Sequence, residues 1–229
     1  MATLLKCDAV FLHVPKTGGM YVRRLLQAMD MIRFDFSRDH SDMERTLHTS
    51  KYYPGNFYKR SFRLGKNLDT YASTCFKFCV VRNPIDWYIS YWRFMSDLKW
   101  KSLAPTRTTT RFGFRYDQWH PLVVLEQYAD ADFNVFMRKV LDNHPGYLSQ
   151  LFSSYADPSA ISFVAKQETL IEDMATIFHK LNIAHDSSIF LKPGRVNESS
   201  TPMPNCSSLI RDRIIRTEEE IFIRYGYPF

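Results

Sequence analysis

The stretch that most constrains the chain is residues 9–24, Ala-Val-Phe-Leu-His-Val-Pro-Lys-Thr-Gly-Gly-Met-Tyr-Val-Arg-Arg. Residues 9–14 form a short apolar run of strand type. Residues 15–19 must then turn sharply. From Met20 the apolar positions Val22, Leu25, Leu26 and Met29 recur at helical spacing, which predicts a helix over residues 19–30. A strand that turns through glycines into a helix presents the first helical N–H groups to the turn. The helix dipole favours negative charge there. Gly18 and Gly19 permit close approach or positive φ. Lys16 adds a full positive charge and Thr17 a hydroxyl. The segment reads as an anion cradle. The order excludes a kinase-type phosphate loop, which needs Lys after the last glycine of Gly-x-x-x-x-Gly-Lys-Ser/Thr.

A second strand–turn–helix follows. Residues 74–81, Thr-Cys-Phe-Lys-Phe-Cys-Val-Val, are the clearest strand in the sequence. They lead into Arg82-Asn83-Pro84. Asn83 can cap a helix that has Pro84 in its first position and runs to about Leu98. Arg82 then stands at the carboxyl end of the strand, and Ser90 lies two turns into the helix. In a parallel α/β sheet both turns face one crevice beyond the strand ends. Arg82 offers a planar fork suited to phosphate oxygens.

In this order, and about 65 residues apart, the two motifs resemble the phosphosulfate loop and the 3'-phosphate motif of the PAPS-dependent sulfotransferases. PAPS is 3'-phosphoadenosine 5'-phosphosulfate, and PAP is the product left after transfer. The likeness is to the carbohydrate branch of that family and its short bacterial relatives. It extends through Phe-Lys-Phe-x-x-Val-Arg-Asn-Pro and more weakly to the C-terminus. The resemblance implies a three-layer α/β fold with a P-loop-like parallel sheet and helices on both faces, formed by residues 1–229 as one sulfotransferase domain. It implies that Lys16 meets the bridging and 5'-phosphate oxygens, that Pro15, Thr17, Gly18, Gly19, Met20 and Tyr21 complete the cradle, and that Arg82 and Ser90 hold the 3'-phosphate. Arg195 and Asn197 lie where the family brings a late loop over the nucleotide. Two positions depart from the pattern. Met20 and Tyr21 replace a usual Ser or Thr after the glycines, and Asp86-Trp87 replaces Asp-Arg, with Trp87 read as structural.

The acceptor hydroxyl needs a general base. His48, in Leu-His-Thr-Ser-Lys, is the first candidate, His40 the second and Glu44 the carboxylate alternative. His13, beside the cradle, is read as orienting the loop. No carboxylate set suited to a metal is found, and none is expected.

Composition sets the rest. The 229 residues carry a net charge of +6 and are 45% hydrophobic, which suits a folded domain with anionic ligands. No apolar run is long enough for a membrane span. The N-terminal residues lack the pattern of a signal peptide and read better as a first strand. Cys7, Cys75, Cys79 and Cys206 are too scattered for a disulfide framework, so reduced thiols and a cytoplasmic location are expected. Residues 31–73 read as irregular and basic, with one short helix near 41–48. Further helices are expected within 117–142, over 168–181 and over 207–225, with a third strand at 160–165. A basic stripe of Arg93, Lys99, Lys101, Arg107, Arg111 and Arg115 reads as a solvated loop or a lip for an acidic acceptor. The expected activity is transfer of a sulfuryl group from PAPS to an acceptor hydroxyl of a carbohydrate or other small polar molecule. Two alternatives are a nucleotide phosphotransferase and a non-catalytic basic module for acidic glycan or nucleic acid. The sequence leaves the acceptor and the oligomeric state open.

Overall fold

The computed structural model describes residues 2–35, 40–101, 121–194 and 199–229. Five strands form one sheet: β1 (Ala2–Leu5), β2 (Ala9–Leu12), β3 (Ile32–Asp35), β4 (Phe76–Val81) and β5 (Phe163–Lys166), in the order β3-β1-β2-β4-β5. β2 and β4 pair in parallel, as do β4 and β5. β1 is antiparallel to both β2 and β3, so four of the five strands point the same way. The N-terminal apolar segment, expected as one strand, makes two. The polar residues Lys6, Cys7 and Asp8 interrupt it, and Asp8 takes a φ of 58° that reverses the chain.

Alternation along the strands splits the core in two. Ala9 and Phe11 of β2 and Phe78 and Val80 of β4 face α1 (Gly19–Ala28) and α10 (Leu170–Lys180). Val10, Leu12, Cys79 and Val81 face the other way. There they meet α5 (Leu68–Thr74), α6 (Pro84–Asp97), α8 (Phe133–Asn143), α9 (Tyr147–Tyr155), α11 (Ser208–Thr217) and α12 (Glu219–Tyr225). The result is a three-layer α/β fold, as the motifs implied. Among the described residues no helix is long and apolar enough to cross a membrane.

Several expectations are corrected. Residues 31–73 are not irregular: they hold β3, α2 (Met43–Leu47), α3 (Thr49–Tyr52), α4 (Pro54–Leu64) and α5. The helices expected within 117–142 are α7 (Val123–Glu126) and α8, residues 102–120 lying outside the described part. The expected C-terminal helix breaks at Glu218 into α11 and α12. Cys75 sits at the end of α5 rather than in the strand, although it and Cys79 join the same core. All four cysteines are free thiols.

Lys77, in mid-strand, is 4% exposed. Its ammonium donates to the carbonyls of Ala72, Ser73 and Cys75 at 3.2, 2.8 and 2.8 Å. A cation there satisfies the carbonyls left open at the end of α5 and agrees with the helix dipole.

Candidate active site

The parallel register sets the carboxyl ends of β2, β4 and β5 side by side, with Leu12 opposite Cys79 and Val81 opposite Lys166. Each strand delivers a turn to the same place. β2 gives the loop 13–19, β4 gives Arg82-Asn83, and β5 gives a short turn of 3-10 helix, Gln167–Thr169.

The first loop is built around two unusual backbone positions. Lys16 has φ 65° and Gly18 has φ 85°, so the chain twice enters the left-handed region. Gly18 begins α1, and no side chain caps that end. By contrast, Asn67, Asn83, Asp132 and Ser207 cap the helices that follow them. α1 also has no acidic residue in its first turn. Its N-terminal field is therefore unopposed by its own residues.

Gly19 is required by His13. A Cβ on Gly19 would lie 2.1 Å from His13 Cδ2 and 2.4 Å from Nε2. The imidazole is held on its other sides, stacked on Phe11 at 6.0 Å and edge-on to His40 at 4.9 Å between ring centroids. Burial drives the His13 pKa down to about 3, helped by the positive N-terminus and Arg23, so the ring is neutral and a poor base. Its place against Gly19 makes it a packing element of the loop. Gly19→Ala is expected to lower stability by about 2 kcal/mol, the scale of an overpacked core. A thermal melt read by circular dichroism checks this; an unchanged melting temperature would mean that His13 moves aside freely.

The loop is tied to the second motif from below. Trp87, fully buried on α6, donates its indole N–H to the Pro15 carbonyl at 2.9 Å and stacks on Tyr91. This is the residue that replaces the family's arginine, and its role is structural. Arg82 reaches the Lys16 carbonyl at 3.4 Å. Its Nε is buried and has no hydrogen-bond partner among the described residues. Burial is the largest influence on Arg82 and lowers its pKa, while Asp86 and Glu168 raise it.

α6 forms the wall of the crevice. Trp87, Tyr88, Tyr91, Trp92 and Met95 are buried on its core side. Asp86, Ser90, Arg93, Phe94 and Asp97 share the opposite stripe. The Lys16 ammonium lies 4.0 Å from the centroid of the Phe94 ring. Burial and then the Arg82 charge lower the Lys16 pKa to about 8, with Asp97 opposing and Arg93 adding to the shift. Three cations thus converge on one mouth. Arg93, expected in a basic stripe, has a fastening role: its Nε donates to the Thr201 carbonyl at 2.6 Å and its Nη2 to that of Ser199 at 2.9 Å. Asp97 accepts from the hydroxyls of Ser199, Ser200 and Thr201, which hold its carboxyl well below the usual range. The chain at 199–201 is thereby laid along the same wall. Glu168, at the end of β5, accepts from the Asn83 amide at 2.7 Å and from the Tyr227 hydroxyl at 3.1 Å. Sequence reading missed Phe94, Trp87's bond and Glu168, since each acts across a long separation and no local pattern marks it.

Lys16, Gly18, Gly19, Arg82 and Ser90 are thus brought to one crevice end. Pro15 contributes the carbonyl that Trp87 holds. Thr17 is buried, and its hydroxyl donates to the Val14 carbonyl at 3.0 Å, inside the loop. Met20 is partly exposed on the first turn of α1. Tyr21 turns away: its amide bonds the Gly18 carbonyl and its phenol the Phe190 carbonyl at 2.7 Å. His48 is exposed between α2 and α3, and its ring makes no hydrogen bond or ring contact with the loop among the described residues. Glu44 is exposed, bound to Tyr52 and Lys51. His40 does reach the loop, with Nδ1 3.3 Å from the His13 carbonyl. Arg107, Arg111, Arg115, Arg195 and Asn197 lie outside the described residues. Among those described, no group of three His, Cys, Asp or Glu is placed to hold a metal.

No curated protein and no solved structure matches the chain. A family profile does, and it spans both phosphate-type turns and the helices that carry them. It is the profile described as the Sulfotransferase family, and it matches residues 5–215; the chain belongs to that family, whose chemistry is sulfuryl transfer.

Proposed function

We propose that the chain transfers the sulfuryl group of PAPS to a hydroxyl of a carbohydrate or other small polar acceptor. The observation that carries this reading is the pairing of Lys16 with Arg82 at adjoining strand ends, the Arg82 Nε buried without a partner among the described residues. An unpaired polar group in that setting is costly unless an anion completes it. PAPS supplies an activated sulfuryl group and carries a second phosphate that an ATP-like nucleotide lacks at that place.

Arg82 grips the 3'-phosphate, with Ser90 beside it on α6. Lys16 and the amides at the start of α1 face the 5'-phosphate, where charge grows as its bond to sulfur breaks. The acceptor oxygen forms the new bond to sulfur and gives its proton to a base. The geometry favours His40 over His48 for that role. His40 sets its ring edge-on to that of His13, with Nδ1 3.3 Å from the His13 carbonyl beside the cradle, whereas His48 stays exposed. Free thiols suit a reducing compartment such as the cytoplasm.

Calorimetric titration with PAP tests the donor site, with ATP for comparison. PAP is expected to bind, and Arg82→Ala to weaken it by about 10- to 100-fold, the scale of a lost charged hydrogen bond. Between about pH 7 and 8, with both phosphates fully ionised, affinity should be nearly flat, and above pH 8 it should fall, because free Lys16 loses its proton near there and only its charged form attracts phosphate. Absence of PAP binding by the folded protein, or ATP binding as tight and indifferent to Arg82→Ala, would sink the proposal.

A further inference from the structure

The helix α4 has no place in the crevice and is unlike the others. None of its residues is buried. Phe57 and Leu64 lean on the core from its inner side, and Arg60 lies over the Phe34 ring at 4.9 Å. The outer side carries Tyr58 and Phe62, one turn apart, at 71% and 91% exposure. Phe62 is the most exposed large apolar side chain among the described residues. Lys59 and Arg63 follow these rings around the helix, and Lys66 continues the row past its end; all three are exposed, with Arg63 5.9 Å from the Phe34 ring centroid and Lys66 5.0 Å from that of Tyr71. The surrounding sequence holds no acid between Glu44 and Asp69, while Arg45, Lys51, Lys59, Arg60, Arg63 and Lys66 are all basic. Aromatic rings in water beside an unopposed row of cations are not a solvated surface without a partner.

We propose that α4 docks on an anionic membrane surface. Tyr58 and Phe62 enter the headgroup boundary, and Lys59, Arg63 and Lys66 meet the lipid phosphates and carboxylates. The chemistry of the helix matches interfacial helices, with cations on the polar side and aromatics on the other. The exposed rings argue against a linear polyanion, which meets cations but offers no apolar layer for Phe62 to enter. The inference does not depend on the donor site.

Vesicle flotation tests it with the full chain. Vesicles of phosphatidylcholine containing one-third phosphatidylserine are expected to bind the protein, and pure phosphatidylcholine vesicles to leave it in solution. Phe62→Ser should weaken binding about tenfold, and the pair Lys59→Glu with Arg63→Glu about a hundredfold. These side chains are exposed, and Arg63 gives up only a distant contact with the Phe34 ring, so the melting temperature of each variant should stay within about 3 °C of the parent and exclude unfolding. No binding to anionic vesicles overturns the proposal. So does binding that Phe62→Ser leaves intact, since that is charge attraction without insertion. Retention on immobilised heparin by a protein that ignores the vesicles would assign the face to an acidic polymer instead.

Discussion

Lys16→Ala is expected to slow sulfuryl transfer by about a thousandfold, the upper range for loss of one donor to a developing negative charge. Three features argue for an effect of that size. Lys16 leaves the cradle from a left-handed backbone position, which fixes where its side chain starts. Its ammonium rests on the Phe94 ring, within the field of Arg82 and Arg93. Burial has already removed part of its water, so an anion arriving there gains more than it would at a solvated lysine. The expected signature is a fall in kcat larger than the loss of PAP affinity, because the charge matters most when the sulfur–oxygen bond is breaking. The melting temperature should be nearly unchanged, since a half-buried cation over one ring contributes little to folding. Steady-state kinetics with PAPS and any accepted hydroxyl makes the measurement. Loss of PAP affinity with kcat unchanged would reduce Lys16 to a ground-state binder, and no change in either quantity would remove it from the mechanism.

The largest expected effect on stability lies on the core side of α6. Glu218→Ala should destabilise the fold by about 4 kcal/mol. Glu218 is fully buried at the break between α11 and α12. One carboxylate oxygen accepts from the Tyr88 hydroxyl at 2.7 Å and the Leu148 amide at 3.1 Å. The other accepts from the Ser149 amide and hydroxyl, both at 2.8 Å. Burial pushes its pKa up and these donors pull it back. Alanine would strand the donors in the core without an acceptor. They include the first amides of α9, which opens on Gly146 with no side-chain cap of its own. For a chain of this length the loss amounts to about 10 °C in melting temperature. Glu218→Gln keeps one acceptor oxygen but turns an NH₂ toward the remaining donors, so it should fall between. Thermal melts of the two variants decide the matter. A shift below 2 °C for Glu218→Ala would mean that water replaces the carboxylate.

The sequence was most legible where local chemistry decides structure. Asn83 and Pro84 were expected to start a helix, and Asn83 does accept from the Ile85 amide at 2.9 Å. The glycine turn before α1 followed from composition alone, as did the apolar stripe of α10. Residues 31–73 were illegible for a physical reason. β3 does alternate, Ile32-Arg33-Phe34-Asp35, but four residues are too few to mark a strand. α4 fully buries nothing, and its exposed Tyr58 and Phe62 blur the inner stripe of Phe57 and Leu64. α2 and α3 are too short to show a period. At the site, the polar residues could be named but their tasks could not. Thr17 offered a hydroxyl, yet the loop uses it internally. Arg93 suggested an acceptor lip, yet it holds carbonyls more than one hundred residues later in the chain. That His40, and not His48, folds back against His13 is something no spacing reveals.

The bond from Trp87 to Pro15 has a consequence for ligand choice. It joins the two phosphate-type turns into a calliper whose jaws are set during folding. A molecule with one phosphate engages a single jaw. A molecule with two at the wrong span can satisfy both only by pulling that buried indole from its carbonyl, at about 1 to 3 kcal/mol. Selection of the nucleotide would then be a measurement of length, made by a tryptophan that never touches it.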